Sequence, residues 1–282
     1  MQIGSYKLFT IETGKFALDG GAMFGVVPKT LWEKRIPPDS ANRIDMRLRC
    51  LLLQGEGRNI LIDCGMGHKW SKKLASMYAL DYSEYTLEKS LAAHRLTKAD
   101  ITDVVITHLH FDHAGGCTEI DGDKIVPTFP SATYYVQKEN LEWAENPKEK
   151  DRASYMPENW KPLQREGVLK VVDGEMEILS GIHVRRFYGH TQGIQLPLLL
   201  TGDGGDKVFF CGDVIPTSIH LGIPWVMAYD NFPLITIEEK KKILKQAADE
   251  NWVLVFEHCP HVAASRIEPW EKGYRLTEKV AL

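Results

Sequence analysis

The 282-residue sequence lacks several features, and each absence excludes a class of protein. Its five cysteines are widely scattered and form no C-x-x-C pair, which excludes a disulfide framework and favours small buried residues in a reducing compartment. No apolar run approaches the roughly 18 residues of a membrane span, and residues 1–14 lack the basic-then-apolar order of a signal peptide. No repeat or low-complexity tract is visible. We therefore expect a cytoplasmic globular protein.

The sequence also lacks an excess of positive charge, with 34 Lys and Arg against 38 Asp and Glu and a net charge of −4. This balance argues against nucleic acid or an anionic membrane as the main partner. Hydrophobic residues make up 44% of the chain, enough to bury a large core. The length lies near the upper limit for one core, so by itself it leaves one α/β domain and two smaller domains open.

Hydrophobic patterning predicts strands at residues 104–106 and 194–201 among others, and Pro197 predicts that its strand lies at a sheet edge. The clearest predicted helix covers residues 237–249, opened by a capping box of Thr236 and Glu239. Residues 146–167 are rich in charge, proline and aromatic side chains. They predict a long excursion that covers a site or contacts a second subunit, with a plain surface loop as the alternative.

Ten histidines are the exceptional feature of the composition. Directly after the predicted strand 104–106 the chain reads T-H-L-H-F-D-H-A-G-G, which brings His108, His110, Asp112 and His113 together. His108 and His110 extend the same way from a strand end and can hold one metal ion, whereas Asp112 and His113 can reach another. The apolar residues between them place the motif at the edge of a core and disfavour a surface histidine cluster.

One motif cannot complete two metal sites, so we expect further ligands at other strand ends. His190, Asp213 and His258 each follow an apolar run. Each signal is weak alone, because a single histidine after a strand is more often structural. Together with the first motif they predict a dinuclear site.

The order H-x-H-x-D-H, G-H-T, G-D and a late histidine resembles the metallo-β-lactamase superfamily over essentially the whole chain. The resemblance implies an α/β fold, a four-layer αβ/βα sandwich of two mixed β-sheets flanked by helices, with the metals along one rim. It implies a first metal on His108, His110 and His190, a second on Asp112, His113 and His258, and Asp213 as the bridge. It also implies that Asp63 orients a ligand histidine, with a strand-end turn aspartate as the alternative. Because these ligands span both halves, we expect residues 1–282 to form a single domain.

Imidazole at position 110 favours zinc over the di-iron branch of the superfamily, so we expect two Zn²⁺ per chain, with Mn²⁺, Co²⁺ or Fe²⁺ as alternatives. Asp213 stands where secreted β-lactamases usually carry cysteine, which argues against penicillin degradation. The closest resemblance is to the branch that opens N-acyl-homoserine lactones, the signals of bacterial quorum sensing. The loop at residues 20–28 resembles the loop of that branch that reaches over the metals.

A small set of apolar residues is predicted to line an acyl-chain pocket, with core packing as the alternative for each. These residues are Met23, Phe24, Phe111, Trp225 and Met227. One position departs from the lactonase pattern, because Pro216 replaces the tyrosine that holds the lactone carbonyl. Thr217, Ser218 or His220 could substitute, and His220 could also support a ligand or be purely structural.

The resemblance implies hydrolysis of a small-molecule ester or lactone by a metal-bridging hydroxide, with Asp112 and Asp213 as catalytic residues and Asp112 as the proton donor. Organophosphate triesterases share the ligands and lack the tyrosine, so they are an alternative. A glyoxalase-II-like thioester hydrolase is another, although its basic residues are not identifiable from Arg266, Lys272 and Arg275. A non-enzymatic binding protein is disfavoured because all seven ligand positions are filled. A homodimer is implied by resemblance only.

Overall fold

The computed structural model describes residues 1–200, 205–271 and 273–282. Thr201, the last residue of the predicted strand 194–201, and Lys272 lie outside these ranges. None of the helices within them has the length and apolar character needed to cross a bilayer.

Strands account for most of the regular structure and are numbered here in chain order. They are β1 (Gln2–Ile3), β2 (Tyr6–Asp19), β3 (Arg43–Gly55), β4 (Arg58–Ile62), β5 (Asp103–Val105), β6 (Thr118–Asp121), β7 (Lys124–Pro127), β8 (Thr133–Gln137), β9 (Leu169–Val172), β10 (Met176–Leu179), β11 (Ile182–Phe187), β12 (Ile194–Leu200), β13 (Lys207–Phe210), β14 (Val253–Val255), β15 (Ala264–Trp270) and β16 (Gly273–Lys279).

The α-helices are mostly short. They are α1 (Gly20–Phe24), α2 (Lys29–Trp32), α3 (Lys72–Met77), α4 (Leu87–Ala93), α5 (Phe111–Ala114), α6 (Lys138–Glu145), α7 (Lys161–Arg165) and α8 (Pro233–Asp249). Short 3₁₀ helices lie at Lys98–Asp100, Gly115–Cys117, Arg152–Ser154, Pro157–Asn159, Gly212–Val214 and Ser218–Leu221.

The strands form two large mixed sheets in the described part of the chain. The first has the order β1-β2-β3-β4-β5-β8-β9, antiparallel up to β4 and parallel beyond it. The second has the order β10-β11-β12-β13-β14-β15-β16, in which β13 and β14 are the parallel pair. Strands β6 and β7 form a separate ribbon.

The core has a layer between the sheets and a layer on each outer face. Leu51 and Leu53 of β3 pack between the sheets against residues of β11 to β14, whereas Cys50 and Leu52 face the other way, toward helices α4 and α6. This explains why residues 50–53 of β3 form a continuous apolar run, since a strand covered on both faces has no solvent side there. Helix α8 covers the outer face of the second sheet. The predicted αβ/βα sandwich is confirmed.

Two local predictions are wrong. Strand β12 lies between β11 and β13, not at an edge. Among the described residues of β12, strand β13 pairs with 198–200 and not with Pro197. Because Pro197 faces no residue of β13, the N–H that proline lacks does not remove a hydrogen bond between these two strands. Helix α8 begins at Pro233, one turn before the predicted capping box, because proline is well suited to a first helical position.

Candidate metal centre

The predicted ligands meet at one rim of the sandwich, where strands from both sheets end. His108 follows β5, His190 follows β11, Asp213 follows β13 and His258 follows β14. Strands β5, β13 and β14 each belong to a parallel pair, and the carboxyl ends of parallel strands are where α/β proteins place their sites. Side chains 145 residues apart in sequence are thereby brought into contact, because His258 Nε2 lies 3.3 Å from His113 Nε2.

A first cluster consists of three imidazoles and one carboxylate. Nε2 of His108 lies 2.9 Å from Nδ1 of His110, and Nε2 of His190 lies 3.1 Å from the same atom. Oδ2 of Asp213 lies 3.2 Å from Nε2 of His190. All four side chains are buried, and their ligand atoms lie within 4.8 Å of one another.

A second cluster adjoins the first and shares Asp213 with it. Oδ1 of Asp213 lies 3.1 Å from Nε2 of His258, and Oδ2 lies 3.5 Å from Nε2 of His113. Oδ2 of Asp112 lies 3.8 Å from both of these histidine nitrogens. The carboxylate of Asp213 therefore belongs to both clusters.

In His108, His190 and His258 the ring nitrogen that faces away from the clusters lies beside an oxygen atom, whereas Nε2 of His110 is buried without a hydrogen-bond partner among the described residues. Nδ1 of His108 lies 3.1 Å from Oγ1 of Thr107, and Nδ1 of His190 lies 3.0 Å from Oδ1 of Asp230. Nδ1 of His258 lies 2.8 Å from the carbonyl oxygen of Arg47. An oxygen at Nδ1 keeps the proton there and leaves the Nε2 lone pair free toward the cluster, as in metal-ligating histidines.

Asp63 supports the remaining histidine. Its Oδ2 lies 3.0 Å from Nδ1 of His113 and accepts a hydrogen bond from the hydroxyl of Thr107 at 2.6 Å, while Oδ1 accepts the Thr107 N–H at 2.7 Å. Its φ of +59° places the backbone in the left-handed region, which is strained for a residue with a Cβ. Glu257 was missed by the sequence analysis, and its Oε2 also lies 3.0 Å from Nδ1 of His113.

The pKa values of the buried histidines are shifted in different directions. Burial lowers the pKa of His108 and His110, and their neighbouring imidazoles lower it further. Burial opposes charge on His113 and His258 as well, but the carboxylates around them, Asp213 above all for His258 and Glu257 for His113, outweigh it and raise each pKa. For Asp213, burial opposes its charge, and His113, His190 and His258 outweigh this and hold its pKa well below the usual range.

These clusters fit divalent ions of the zinc type. Imidazole nitrogens and carboxylate oxygens are the ligands such ions take, and lone pairs that face one another inside a buried site require a cation between them. Within the described ranges, a third group of Asp63, His113 and Glu257 also gathers ligand atoms. In this group the carboxylates of Asp63 and Glu257 lie at Nδ1 of His113. We therefore interpret them as supports that orient the His113 ring.

The segment that carries His190 is held by an unexpected partner. Glu239, predicted as half of a capping box, accepts the N–H groups of Tyr188 at 2.7 Å and Gly189 at 3.0 Å. A Cβ on Gly189 would lie 2.3 Å from the backbone nitrogen of Thr236, so only glycine lets this segment approach the start of α8. The carboxylate of Glu239 therefore fixes the backbone next to His190.

A cavity of about 240 Å³ opens over the clusters. Met23, Phe111 and Met227, three of the residues proposed for an acyl-chain pocket, line it together with Leu18 and Met46. Residues 150–151 and 153–154 of the predicted excursion line its other side. This part of the excursion thus reaches over the site.

Phe24 and Trp225 do not line this cavity, because both are packed away from it. Phe24 is fully buried, with its ring stacked on Trp32 and on His220. Trp225 lines a separate surface groove. Nδ1 of His220 lies 2.8 Å from the hydroxyl oxygen of Thr217, and its Nε2 lies 2.8 Å from the carbonyl oxygen of Met23. Both ring nitrogens therefore have hydrogen-bond partners other than the proposed metal ligands. Its contacts support the loop of Met23 rather than a metal ligand.

The sequence analysis missed two tyrosines and a lysine at the cavity. Tyr78, Tyr229 and Lys150 line its wall, and burial raises the pKa of both phenols, with the Asp112 carboxylate acting in the same direction. Nζ of Lys150 donates to the carbonyls of Tyr229 and Asp230 at 2.9 Å and so ties the excursion to that loop. No spacing pattern marks these residues, since they come from separate loops. Pro216, in place of the expected tyrosine, accepts the backbone N–H of His258 at 3.0 Å.

Comparison with known proteins agrees with this geometry. Residues 49–258 match the family model of the metallo-β-lactamase superfamily. The N-acyl homoserine lactonase AiiB of Rhizobium rhizogenes (strain K84) is 27% identical over 95% of this chain and 99% of its own length.

Solved structures share the whole fold. The crystal structure of a probable metal-dependent hydrolase from Staphylococcus aureus has a TM-score of 0.88 and 30% identity, covering 100% of both chains. The dizinc quorum-quenching lactonase AidC, with a product bound, has a TM-score of 0.81 at 23% identity, covering 100% of this chain and 97% of its own. The family match spans most of the chain and contains every predicted ligand. The chain is a hydrolase of the metallo-β-lactamase superfamily, homologous to N-acyl homoserine lactonases.

Proposed function

We propose that this protein is a dizinc lactonase that opens the ring of N-acyl-homoserine lactones. The observation that carries the proposal is the pair of buried clusters that share Asp213 beneath an apolar cavity. Full-length similarity to lactonases supports the substrate class. Because both sheets supply ligands, we also propose that residues 1–282 form one domain.

The proposed ligands divide between two ions. His108, His110 and His190 hold the first, Asp112, His113 and His258 the second, and Asp213 both. Zinc is the proposed metal because imidazole-rich sites with carboxylates suit it, with Mn²⁺, Co²⁺ or Fe²⁺ as alternatives. When bound, such ions supply a nucleophilic hydroxide at neutral pH and act as Lewis acids toward a carbonyl.

The side chains around the clusters have separate tasks. Asp112 lines the cavity, where its carboxylate can accept the proton that the attacking water loses and then donate it to the ring oxygen as the acyl–oxygen bond breaks. Tyr229, in the same wall, is the proposed replacement for the tyrosine missing at position 216, since its phenol can donate to the substrate carbonyl. Asp230, the next residue, fixes His190, so this short loop couples ligand support to substrate contact.

The apolar wall sets the shape of the substrate. This wall contains the flexible thioether side chains of Met23, Met46 and Met227 and the ring of Phe111. These groups can pack against an acyl chain. A volume of about 240 Å³ is below the roughly 300–1,000 Å³ typical of sites for drug-sized ligands. We therefore expect the enclosed part to hold the lactone ring and a short acyl chain.

Metal content and a substrate panel test the proposal. The purified chain is expected to bind close to two zinc ions, and short-chain acyl-homoserine lactones to be opened faster than long-chain ones, a phosphotriester or a glutathione thioester. Tyr229→Phe, with Tyr82→Phe as a matched control outside the cavity, separates substrate contact from folding. Turnover of the phosphotriester or thioester without lactone opening would contradict the proposed substrate, and a chain that takes up no metal would contradict the site.

A further inference from the structure

Two of the five cysteines lie in contact behind the metal clusters. Sγ of Cys117 lies 3.1 Å from Sγ of Cys64, and both residues are buried. Cys64 follows Asp63, which supports His113, and Cys117 lies four residues after His113. The two positions are 53 residues apart, and no spacing pattern in the sequence links them.

The backbone around these sulfurs is already in close contact. The N–H of Cys64 donates to the carbonyl of His113 at 2.9 Å, and the N–H of Gly116 donates to the carbonyl of Gly65 at 2.9 Å. A Cβ on Gly116 would lie 2.1 Å from the carbonyl oxygen of Cys64, so glycine permits this approach. A disulfide has an S–S length of about 2.05 Å, so bond formation needs the two sulfurs to approach by roughly 1 Å.

A small cavity adjoins one of the two cysteines. Cys64 lines a space of about 30 Å³ together with Gly67, His68, Tyr82 and Gly116, and His68 is exposed at the surface. A water molecule needs roughly 10–15 Å³ measured in this way, so the space admits a molecule the size of hydrogen peroxide and excludes a bulky disulfide reagent. Burial raises the pKa of the Cys64 thiol, so its reaction will be slow compared with that of an exposed thiolate.

We propose that Cys64 and Cys117 form a peroxide-oxidisable dithiol whose disulfide clamps the back of the metal centre. The sulfur of Cys64 attacks one oxygen of hydrogen peroxide, the O–O bond breaks, and one water leaves as Cys64 becomes a sulfenic acid. The sulfur of Cys117 then attacks the Cys64 sulfur, the S–O bond breaks, and a second water carries away the Cys117 proton. The two thiols lose two electrons and the peroxide gains them.

The clamp acts on the segments that hold the second cluster. The disulfide joins residues 63–67 covalently to residues 113–117, across the hydrogen bond between Asp63 and His113. Local opening of these segments is a route by which a ligand leaves its ion, and a covalent link closes that route. The oxidised protein is expected to release metal more slowly and to unfold at a higher temperature than the reduced protein.

Thiol mapping of the full-length, metal-loaded protein tests the site. After hydrogen peroxide treatment and removal of the metal under denaturing conditions, titratable thiols should fall from five to three, and peptide mass spectrometry should find a Cys64–Cys117 link that dithiothreitol reverses. In Cys117→Ser, Cys64 should remain a sulfenic acid that dimedone traps. Cys211→Ser, a buried cysteine elsewhere, should behave as the parent does.

Two results would overturn the inference. Five titratable thiols after treatment, or loss of Cys50 and Cys211 as fast as Cys64, would show that the pair is not a site. A mapped disulfide with unchanged release of metal to a chelator would show that it is no clamp. Neither result depends on which ester the enzyme cleaves, so failure here is distinguishable from failure of the proposed function.

Discussion

Asp230 is the residue whose replacement should separate the two proposed metals. Its side chain is buried, with Oδ1 at 3.0 Å from Nδ1 of His190 and Oδ2 accepting the N–H of Met227 at 3.2 Å. In Asp230→Asn the side chain keeps its shape, but one of its two oxygens becomes an NH₂ group. Either His190 or the Met227 N–H then faces a donor, so one of the two contacts is lost whichever way the amide turns.

The expected magnitude follows from the lost interaction. A hydrogen bond to a charged group contributes about 1.5–3 kcal/mol when its partner is buried. Loss of a group that supports a ligand histidine typically weakens metal binding about 10- to 100-fold, and at about 1.4 kcal/mol per tenfold change this is about 1.4–2.8 kcal/mol. The free energy expected from the lost hydrogen bond and the free energy expected from the weakened metal binding therefore agree. Only the ion held by His190 should be affected, because Asp230 does not contact the histidines of the second cluster.

A competition titration measures this directly. Metal-free protein is titrated with zinc in the presence of a chromophoric chelator, and Asp230→Asn should show one weakened and one unchanged binding step. Asp151→Asn is the matched control, since Asp151 is also buried but accepts from Trp143 and Asn231 and touches no ligand. Equal affinities in Asp230→Asn and the parent, or an equal loss in Asp151→Asn, would refute the assigned role.

Three further outcomes are expected. Asp213→Ala should lose metal and activity together because Asp213 belongs to both clusters, and full turnover with an unchanged metal count would contradict this. Tyr229→Phe should lower kcat/KM about tenfold, the value of one hydrogen bond, with the metal count unchanged; an unaltered kcat/KM would remove the phenol from the mechanism. Lys240 is fully buried, which lowers its pKa from 10.5 to about 7. Because the unfolded chain alone holds this proton between those values, the free energy of unfolding of the parent relative to Lys240→Met should rise with pH from about 7 to 10.5 and be level below 7. Parallel pH profiles in chemical denaturation would contradict that expectation.

The proposed metal ligands could be predicted from the sequence because several of them lie close together along the chain. Four of the seven residues lie within six positions, and the others follow apolar runs that end in turns. Hydrophobic runs of this kind form buried strands, and the carboxyl ends of parallel strands lie at a common edge of a sheet. Residue types and their order along the chain were therefore sufficient for the fold class and for the family, and both are confirmed.

The supports of the ligands could not be read from the sequence, because they are single residues brought in from distant loops. Asp230 and Glu257 carry no motif, and the partner of His258 is a backbone carbonyl of Arg47. Arg49 of β3 is buried and donates to the carbonyls of Phe256 and Cys259 beside His258. Such contacts depend on which strands and loops become neighbours in the folded protein, and the spacing of residues along the chain does not specify this.

Hydrophobicity likewise could not sort the predicted pocket residues. Met23 and Phe24 are adjacent and equally apolar, yet Met23 lines the cavity and Phe24 stacks on His220 in the core, because neighbouring side chains leave the backbone in different directions. By itself the sequence determined that the chain folds as a sandwich, and it predicted which residues carry the chemistry. Only the tertiary structure decided what holds each histidine, which apolar groups face the substrate and that Cys64 meets Cys117, since each of these depends on side-chain direction and on contacts between distant segments.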